Sequence, residues 1–378
     1  MKVFFDIIGC RLNQSEVEGL ANIFRALGHD IVPDPSEADL AIINTCAVTV
    51  KAAADSRKKL RRAARQGANQ VIATGCWATL YPQKAHDLDV VTDVVTNEEK
   101  ETLVSKILGL SPDVISKLDL IREPLPGDRG RTRAFIKVQE GCDNHCTYCL
   151  TRIARGSSHS RPISEISRDI QAALAGGAKE IVLTGVQLGG WGHDLVESKG
   201  LEELFESVLS INGYERLRLS SIEPWDFTPD LLKFWSDDRL CRHLHIPLQS
   251  GNDRILKAMG RPITTSGYQN LIEIIRNEIP EIAITTDVIA GFPGETEEDF
   301  KTTERFLSHN EFAGGHVFTY SPRPGTSAYK MKERVPMSVA KERNANLREI
   351  FNESGHNYRS NFIESNLKVL WESSKKKW

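Results

Sequence analysis

The chain carries almost no net charge. Its 378 residues set 48 Lys and Arg against 51 Asp and Glu, which leaves −3 with neutral histidines. A general electrostatic attraction to nucleic acid is thereby excluded, and any such contact has to come from a local basic patch. No apolar run approaches the roughly 18 residues of a membrane span. No secretory signal precedes the first strand-like run, which starts at Met1-Lys2-Val3. A cytoplasmic protein without a membrane partner is expected. The cysteine count is seven, an odd number, and without a secretory signal such thiols read as metal ligands rather than disulfides.

Three of them, Cys142, Cys146 and Cys149, fall within Gly141–Gly156 (GCDNHCTYCLTRIARG), spaced C-x3-C-x2-C. Iron–sulfur clusters are usually held by four cysteine thiolates. Three leave one iron open, and an open coordination position is what a catalytic metal needs. The alternative is a zinc site completed by His145 or His159, both nearby in sequence.

The other candidate ligands lie in the N-terminal third. Lys2–Cys10, Leu40–Cys46, Gln70–Cys76 and Val90–Thr96 are short apolar, β-branched runs that predict buried strands. Between them fall a helix opened by a capping pattern at Asn13 and Glu16 and stopped near Gly28, another over about Val50–Gln66, and a last one over about Glu98–Leu108. Strands alternating with helices imply a doubly wound parallel sheet. Cys10, Cys46 and Cys76 each end a strand, on the edge where open α/β sheets bind ligands. They are expected to meet there as a second metal site, although free cysteines also make good core residues. The helix after Cys46 is strongly basic: Arg57, Arg61 and Arg65 share a face, with Lys58 and Arg62 beside them. Such a one-sided block suggests phosphate contacts.

The N-terminal domain is assigned to residues 1–110, a linker rich in Pro, Gly, Asp and Arg to 111–132, a barrel to 133–335 and a C-terminal helix to 336–366. The barrel strands are Ala134–Glu140, Glu180–Val186, Arg216–Ile222, His243–Leu248, Ala283–Ala290 and His316–Tyr320. Helical patterns separate them near Ile163–Ala175, Leu201–Ile211, Pro229–Ser236, Thr264–Asn277 and Glu297–Leu307. Six parallel strands make a partial (β/α)6 barrel with its site at the carboxyl ends. Glycine-rich and polar loops end these strands: TGVQLGGWG, SSIEP, PLQSGND and GFPGET. They outline a pocket beside Tyr148, Gly185, Gln187, Ser220, Glu223 and Gln249. Cys241, before a strand, is expected to be a core thiol, and His243 and His245 to be satisfied structural histidines.

The C-x3-C-x2-C loop, with Tyr148 before its last cysteine, resembles that of the radical S-adenosylmethionine (SAM) enzymes. The two cysteine triads in this order resemble the radical SAM methylthiotransferases, the MiaB, MtaB and RimO group. The matching pieces are GCRLNQSE, NTCAVT, TGCWA, TRAFIKVQEGCDNHCTYC, ARG, LTGVQLG, RLSSIEP, HIPLQSGND, GFPGET and SPRPGTSAY. GCRLNQ, SRKKLRRAAR and TRAFIKVQEGC are most similar to the MtaB subgroup. The resemblance implies two [4Fe–4S] clusters, one on Cys142, Cys146 and Cys149 that binds SAM, and one on Cys10, Cys46 and Cys76 that carries the sulfur to be inserted. It implies a methylthio group placed at C2 of N6-threonylcarbamoyladenosine at tRNA position 37. Related members act on isopentenyladenosine or on an aspartate of a ribosomal protein. The partners it implies are the tRNA anticodon stem-loop, an electron donor such as flavodoxin or ferredoxin, and a sulfur source. A non-catalytic metal-bound RNA-binding protein is the reading from a different class.

Two departures from the family pattern stand out. His159 occupies a place in RGSSHSRP where an arginine is expected. Residues 367–378 begin like the first strand of a TRAM-like β domain (Leu367–Glu372) and end at SSKKKW, so that domain is expected to be truncated or missing.

Overall fold

The computed structural model describes residues 1–126, 132–196, 198 and 200–371. Its N-terminal sheet has five parallel strands: β1 (Lys2–Ile7), β2 (Asp30–Val32), β3 (Leu40–Thr45), β4 (Gln70–Gly75) and β5 (Asp93–Val95), ordered β2-β1-β3-β4-β5. Every residue of β3 is buried, as a central strand covered on both faces requires. One face packs on helix α1 (Arg11–Ala26) through Val17, Leu20 and Phe24. The other packs on α2 (Val50–Arg65) and the short α3 (Cys76–Leu80) through Leu60, Ala63 and Trp77.

The central region contributes β6 (Arg133–Lys137), the small antiparallel pair β7 (Gln139–Glu140) and β8 (His159–Ser160), then β9 (Glu180–Thr184), β10 (Arg216–Leu219), β11 (His243–His245), β12 (Ala283–Ala290) and β13 (Gly314–Thr319). Two parallel sheets, β6-β9-β10 and β11-β12-β13, are joined by the bridges Leu217–Leu240 and Ser221–His245. The result is a six-stranded arc, open between β6 and β13. Its outer face carries the largest core, from Ile166 and Ile170 through Phe205 to Tyr268 and Phe312. Its lumen is polar. At its floor Glu180, fully buried, accepts from the Nε groups of Arg216 and Arg218, each at 2.9 Å, and forms an ion pair with Arg133 at 2.9 Å.

The N-terminal domain docks against the open side. α1 packs across β6, where the Lys137 amide donates to Ser15 Oγ at 3.1 Å. The segment assigned as a linker also holds structure: a short helix, Pro112–Ser116, and then Arg122, whose buried guanidinium pairs with Glu18. Its residues 127–131 lie outside the described residues.

Several boundaries differ from expectation for physical reasons. Asn13 and Glu16 do not cap α1; its N-cap is Cys10, which makes no side-chain cap bond, and both polar residues turn inward to partners described below. The fourth expected strand shrinks to the three residues of β5, and β2 adds a three-residue edge too short to read as periodic. Pro229–Ser236 forms 3-10 turns, and an unexpected helix spans Asp253–Ala258. The C-terminal helix runs Met337–Ser360 and lies over β12 and β13. Leu367–Trp371 forms no strand, contrary to the expected start of a TRAM-like domain; Glu372 and the KKK run lie outside the described residues.

Candidate active site

β1, β3 and β4 are adjacent and in register, Ile7 opposite Asn44 and Thr45 opposite Gly75. Their carboxyl ends therefore deliver Cys10, Cys46 and Cys76 to one edge. Glycine makes the turns possible. Gly75 has φ +91°, and a Cβ there would collide with the Asn44 side chain and the Thr45 backbone. Gly9 has φ +118°, and a Cβ would stand 3.1 Å from Cys46 Sγ. Burial pushes the Cys46 thiol up to about 11.

Cys142, Cys146 and Cys149 share the loop after β7, which is pinned from several sides. The Cys142 amide donates to Gly156 O at 3.1 Å, Thr147 N to Met259 O at 2.9 Å, and Thr151 Oγ1 lies 3.1 Å from Cys149 Sγ. Burial raises the thiols of Cys142, to about 11, and Cys149. Thiols held protonated must lose their protons when a metal binds. Neither histidine weighed for zinc is turned toward these thiols: His145 contacts Arg152, and the exposed His159 lies 3.3 Å from Asp194. Among the described residues no three His, Cys, Asp or Glu side chains gather tightly enough around one point for a single ion. Each triad is an all-thiol donor set, the set that iron–sulfur clusters take, and three thiols suit a cluster whose irons are ligated separately.

Cys10, Cys46 and Cys76 on one hand, and Cys149 on the other, line adjoining cavities. The larger, of about 760 Å³, is the barrel lumen, with Cys10, Cys46 and Cys76 on one side and Ser220, His243 and His245 on the other. The smaller, of about 220 Å³, reaches Tyr148 and Cys149. Val48, Thr151, Asp287 and Phe318 line both.

A buried polar clasp fixes this juxtaposition. Arg155, at the end of the short helix Thr151–Arg155, donates to Glu16 Oε1 at 2.7 Å, Asn13 Oδ1 at 2.6 Å and Glu140 Oε1 at 2.6 Å. Glu16 also accepts from Lys100 Nζ at 2.7 Å and Asn44 Nδ2 at 3.1 Å. Asn97 links Lys100 to the Ala154 carbonyl, 2.7 Å on each side. One network thus ties the edge bearing Cys10, Cys46 and Cys76 to the helix that follows Cys149.

The six residues expected around a cofactor divide into three groups. Gly185 and Ser220 line the larger cavity; Tyr148 and Gln249 line the smaller. Glu223 accepts from Arg261, and Gln187 braces the cysteine loop by accepting from the Asp143 amide at 3.3 Å and donating to Asp226 at 3.2 Å. No local pattern in the sequence marks Arg261. Its buried guanidinium lies 3.8 Å from Cys146 Sγ, 2.6 Å from Glu223 and over the Trp225 ring at 4.4 Å. His243 and His245, expected to be satisfied structural histidines, both line the lumen; His245 is satisfied, by Thr285 Oγ1 at 2.9 Å and Asp287 at 3.3 Å, whereas His243 Nδ1 has no hydrogen-bond partner.

On α2, Lys58, Arg61, Arg62 and Arg65 are exposed. Arg57 is half-buried over the Trp77 ring at 5.7 Å, and Lys59 is spent on Asp6. Val50, at the start of α2, donates to Ser321 Oγ at 3.1 Å, so the basic helix starts at the rim of the smaller cavity.

A partial parallel barrel with a C-x3-C-x2-C loop at its mouth defines a radical SAM enzyme. A family model described as the Radical SAM superfamily matches residues 136–307, and one described as Uncharacterized protein family UPF0004 matches residues 2–97. The chain is 38% identical to the threonylcarbamoyladenosine tRNA methylthiotransferase MtaB of Thermotoga maritima, over 98% of this chain and 86% of that protein. It is 34% identical to a tRNA-2-methylthio-N(6)-dimethylallyladenosine synthase of Clostridium tetani, over 99% of this chain and 86% of that protein. Among solved structures, the radical SAM methyltransferase TsrM of Kitasatospora setae shares the fold, with a TM-score of 0.62 at 14% identity, covering 86% of this chain and 76% of that one. The chain belongs to the radical SAM methylthiotransferase family, and is thus a transferase whose cofactors are SAM and two [4Fe–4S] clusters. No helix among the described residues is long and apolar enough to cross a membrane.

Proposed function

We propose that this enzyme inserts a methylthio group at C2 of N6-threonylcarbamoyladenosine at tRNA position 37. Cys142, Cys146 and Cys149 hold the cluster that binds SAM, and Cys10, Cys46 and Cys76 hold the second. The observation that carries the reading is the pair of adjoining cavities, one lined by Cys10, Cys46 and Cys76 and the other reaching Cys149, sharing Val48, Thr151, Asp287 and Phe318 as walls. When bound, SAM and the clusters supply the radical and the sulfur; an unactivated C–H bond is beyond any side-chain base of ordinary pKa. The chain's own residues hold, orient and enclose. Arg155, Glu16 and Lys100 fix the spacing of the triads, while Gln187 and Arg261 stiffen the cysteine loop. Tyr148, Gly185, Ser220, Glu223 and Gln249 surround the cofactor and target base.

Anaerobically reconstituted protein, incubated with SAM, reductant and tRNA bearing either N6 substituent, is expected to give 2-methylthio-N6-threonylcarbamoyladenosine by nucleoside mass spectrometry. Product from the dimethylallyl substrate alone would assign the dimethylallyladenosine activity instead. No product from any tRNA would move the target to a protein side chain.

The basic face of α2 is proposed to grip the anticodon stem-loop. Replacing Arg61, Arg62 and Arg65 by glutamine should weaken tRNA binding irrespective of the N6 group. The slope of log K against log salt should become shallower by about 0.7–0.9 for each phosphate that these side chains no longer neutralise. An unchanged slope would remove α2 from the interface.

A further inference from the structure

We infer that the barrel lumen contains a subsite for a carboxylate on the N6 substituent of the target adenosine, with Arg11 as the residue that receives it. This rests on the tRNA reading above and names the residue that would choose between substrates.

Arg11 follows Cys10 and lines the 760 Å³ cavity that Cys10, Cys46 and Cys76 face. Among the described residues it makes no hydrogen bond and no ion pair. Its guanidinium carbon lies 5.9 Å from the centre of the Phe135 ring, a contact that leaves its N–H groups free. The arginines around it are engaged: Arg155, which lines the same cavity, is held by Glu16, Asn13 and Glu140, and the neighbouring Arg133, Arg216 and Arg218 all pair with Glu180. Three guanidiniums on one carboxylate, with Arg11 added, leave the lumen rich in positive charge. Asp287, the acid among the cavity walls, faces His245 at 3.3 Å. A planar guanidinium with free donors, aimed into a cavity, fits a carboxylate as a two-pronged partner.

The surroundings point the same way. Ser220 is 8% exposed and lines the cavity, and its hydroxyl has no partner. His243 Nδ1 is likewise unpartnered in the same wall. Burial, aided by Arg218, holds that imidazole near pKa 3, so it is neutral and offers hydrogen bonds rather than charge. A threonylcarbamoyl group brings a carboxylate, a hydroxyl and a ureido linkage to these three positions. A dimethylallyl group would bring nothing polar, and would cover the Ser220 hydroxyl and His243 Nδ1 without giving either a partner, which is costly for buried polar groups.

The test uses the reconstituted holoenzyme and anticodon stem-loops that differ only at the N6 group: threonylcarbamoyl, its carboxamide analogue, and dimethylallyl. Binding is read by fluorescence anisotropy and product by mass spectrometry. The wild type should bind the carboxylate loop more tightly than the carboxamide loop. Arg11→Gln should weaken the carboxylate loop about 10- to 100-fold, as for loss of a hydrogen bond to a charged group, and leave the carboxamide loop nearly unchanged. Arg11→Lys should restore part of the difference. Equal binding of the two loops by the wild type, or an equal effect of Arg11→Gln on both, would overturn the subsite. The tRNA reading would survive that result if the wild type still methylthiolates the threonylcarbamoyl loop. Product from the dimethylallyl loop alone would overturn both.

Discussion

Arg155→Ala is expected to cost about 3–5 kcal/mol of stability, the range for removing one partner of a buried ion pair, and to abolish product formation. The Arg155 and Glu16 side chains are 1% and 3% exposed, so water cannot replace the lost guanidinium. Glu16 would keep Lys100, but Glu140 and Asn13 Oδ1 would lose their bonds from Arg155 as well. Glu16→Gln in the same background should add to the loss, because it would leave the buried Lys100 ammonium without its carboxylate; a double-mutant cycle would show the coupling. The pH dependence has a definite sign. Burial pushes the Glu16 carboxyl up, but Lys100 and Arg155 outweigh it and hold the carboxyl well below its ordinary 4.5. A depressed carboxyl contributes stability that is complete above pH 4.5 and is lost as the pH falls through the lower folded value. Without Arg155 the carboxyl rises, so the acid limb of a melting-temperature profile should move toward neutral pH. A profile superimposable on the wild type would show that the clasp is not what holds the domains together.

The parts of this arrangement that were legible in the sequence are those set by local pattern. LAIINTC reads as a buried strand because it is apolar on both faces, and strands ending in cysteine predict a thiol-bearing edge once the sheet is parallel. What escaped depends on distant partners. Asn13 and Glu16 have the residue types and spacing of a cap, and only Arg155, 139 positions beyond Glu16, turns them inward. His243 and His245 alternate along a strand as core residues would; that their face lines a cavity follows from the width of an open six-stranded arc. Arg261 follows a glycine with no periodic signal, and its place beside Cys146 arises from the fold of the loop after Asp253–Ala258. At the C-terminus local pattern promises more than forms. Leu367–Trp371 has the alternation of a strand, but a strand needs neighbours to pair with, and none is present among the described residues.

The two triads are built by different pieces of backbone, and this predicts that their losses separate. Cys10, Cys46 and Cys76 depend on the register of β1, β3 and β4; Cys142, Cys146 and Cys149 depend on a loop fastened to Met259, Gly156 and Gln187. Cys46→Ala should therefore reduce iron from about eight to about four per chain while reduced protein continues to cleave SAM to 5′-deoxyadenosine, with no methylthio product. Cys146→Ala should lower iron by a similar amount and stop deoxyadenosine formation as well. Cys241→Ala is the control. That thiol is buried just before β11, at the amino end of the barrel strands and away from both triads, so iron content and SAM cleavage should match the wild type. If Cys46→Ala kept all its iron, or still transferred sulfur, the N-terminal edge would not be a second cluster site, and the lumen between the triads would have no donor facing the substrate.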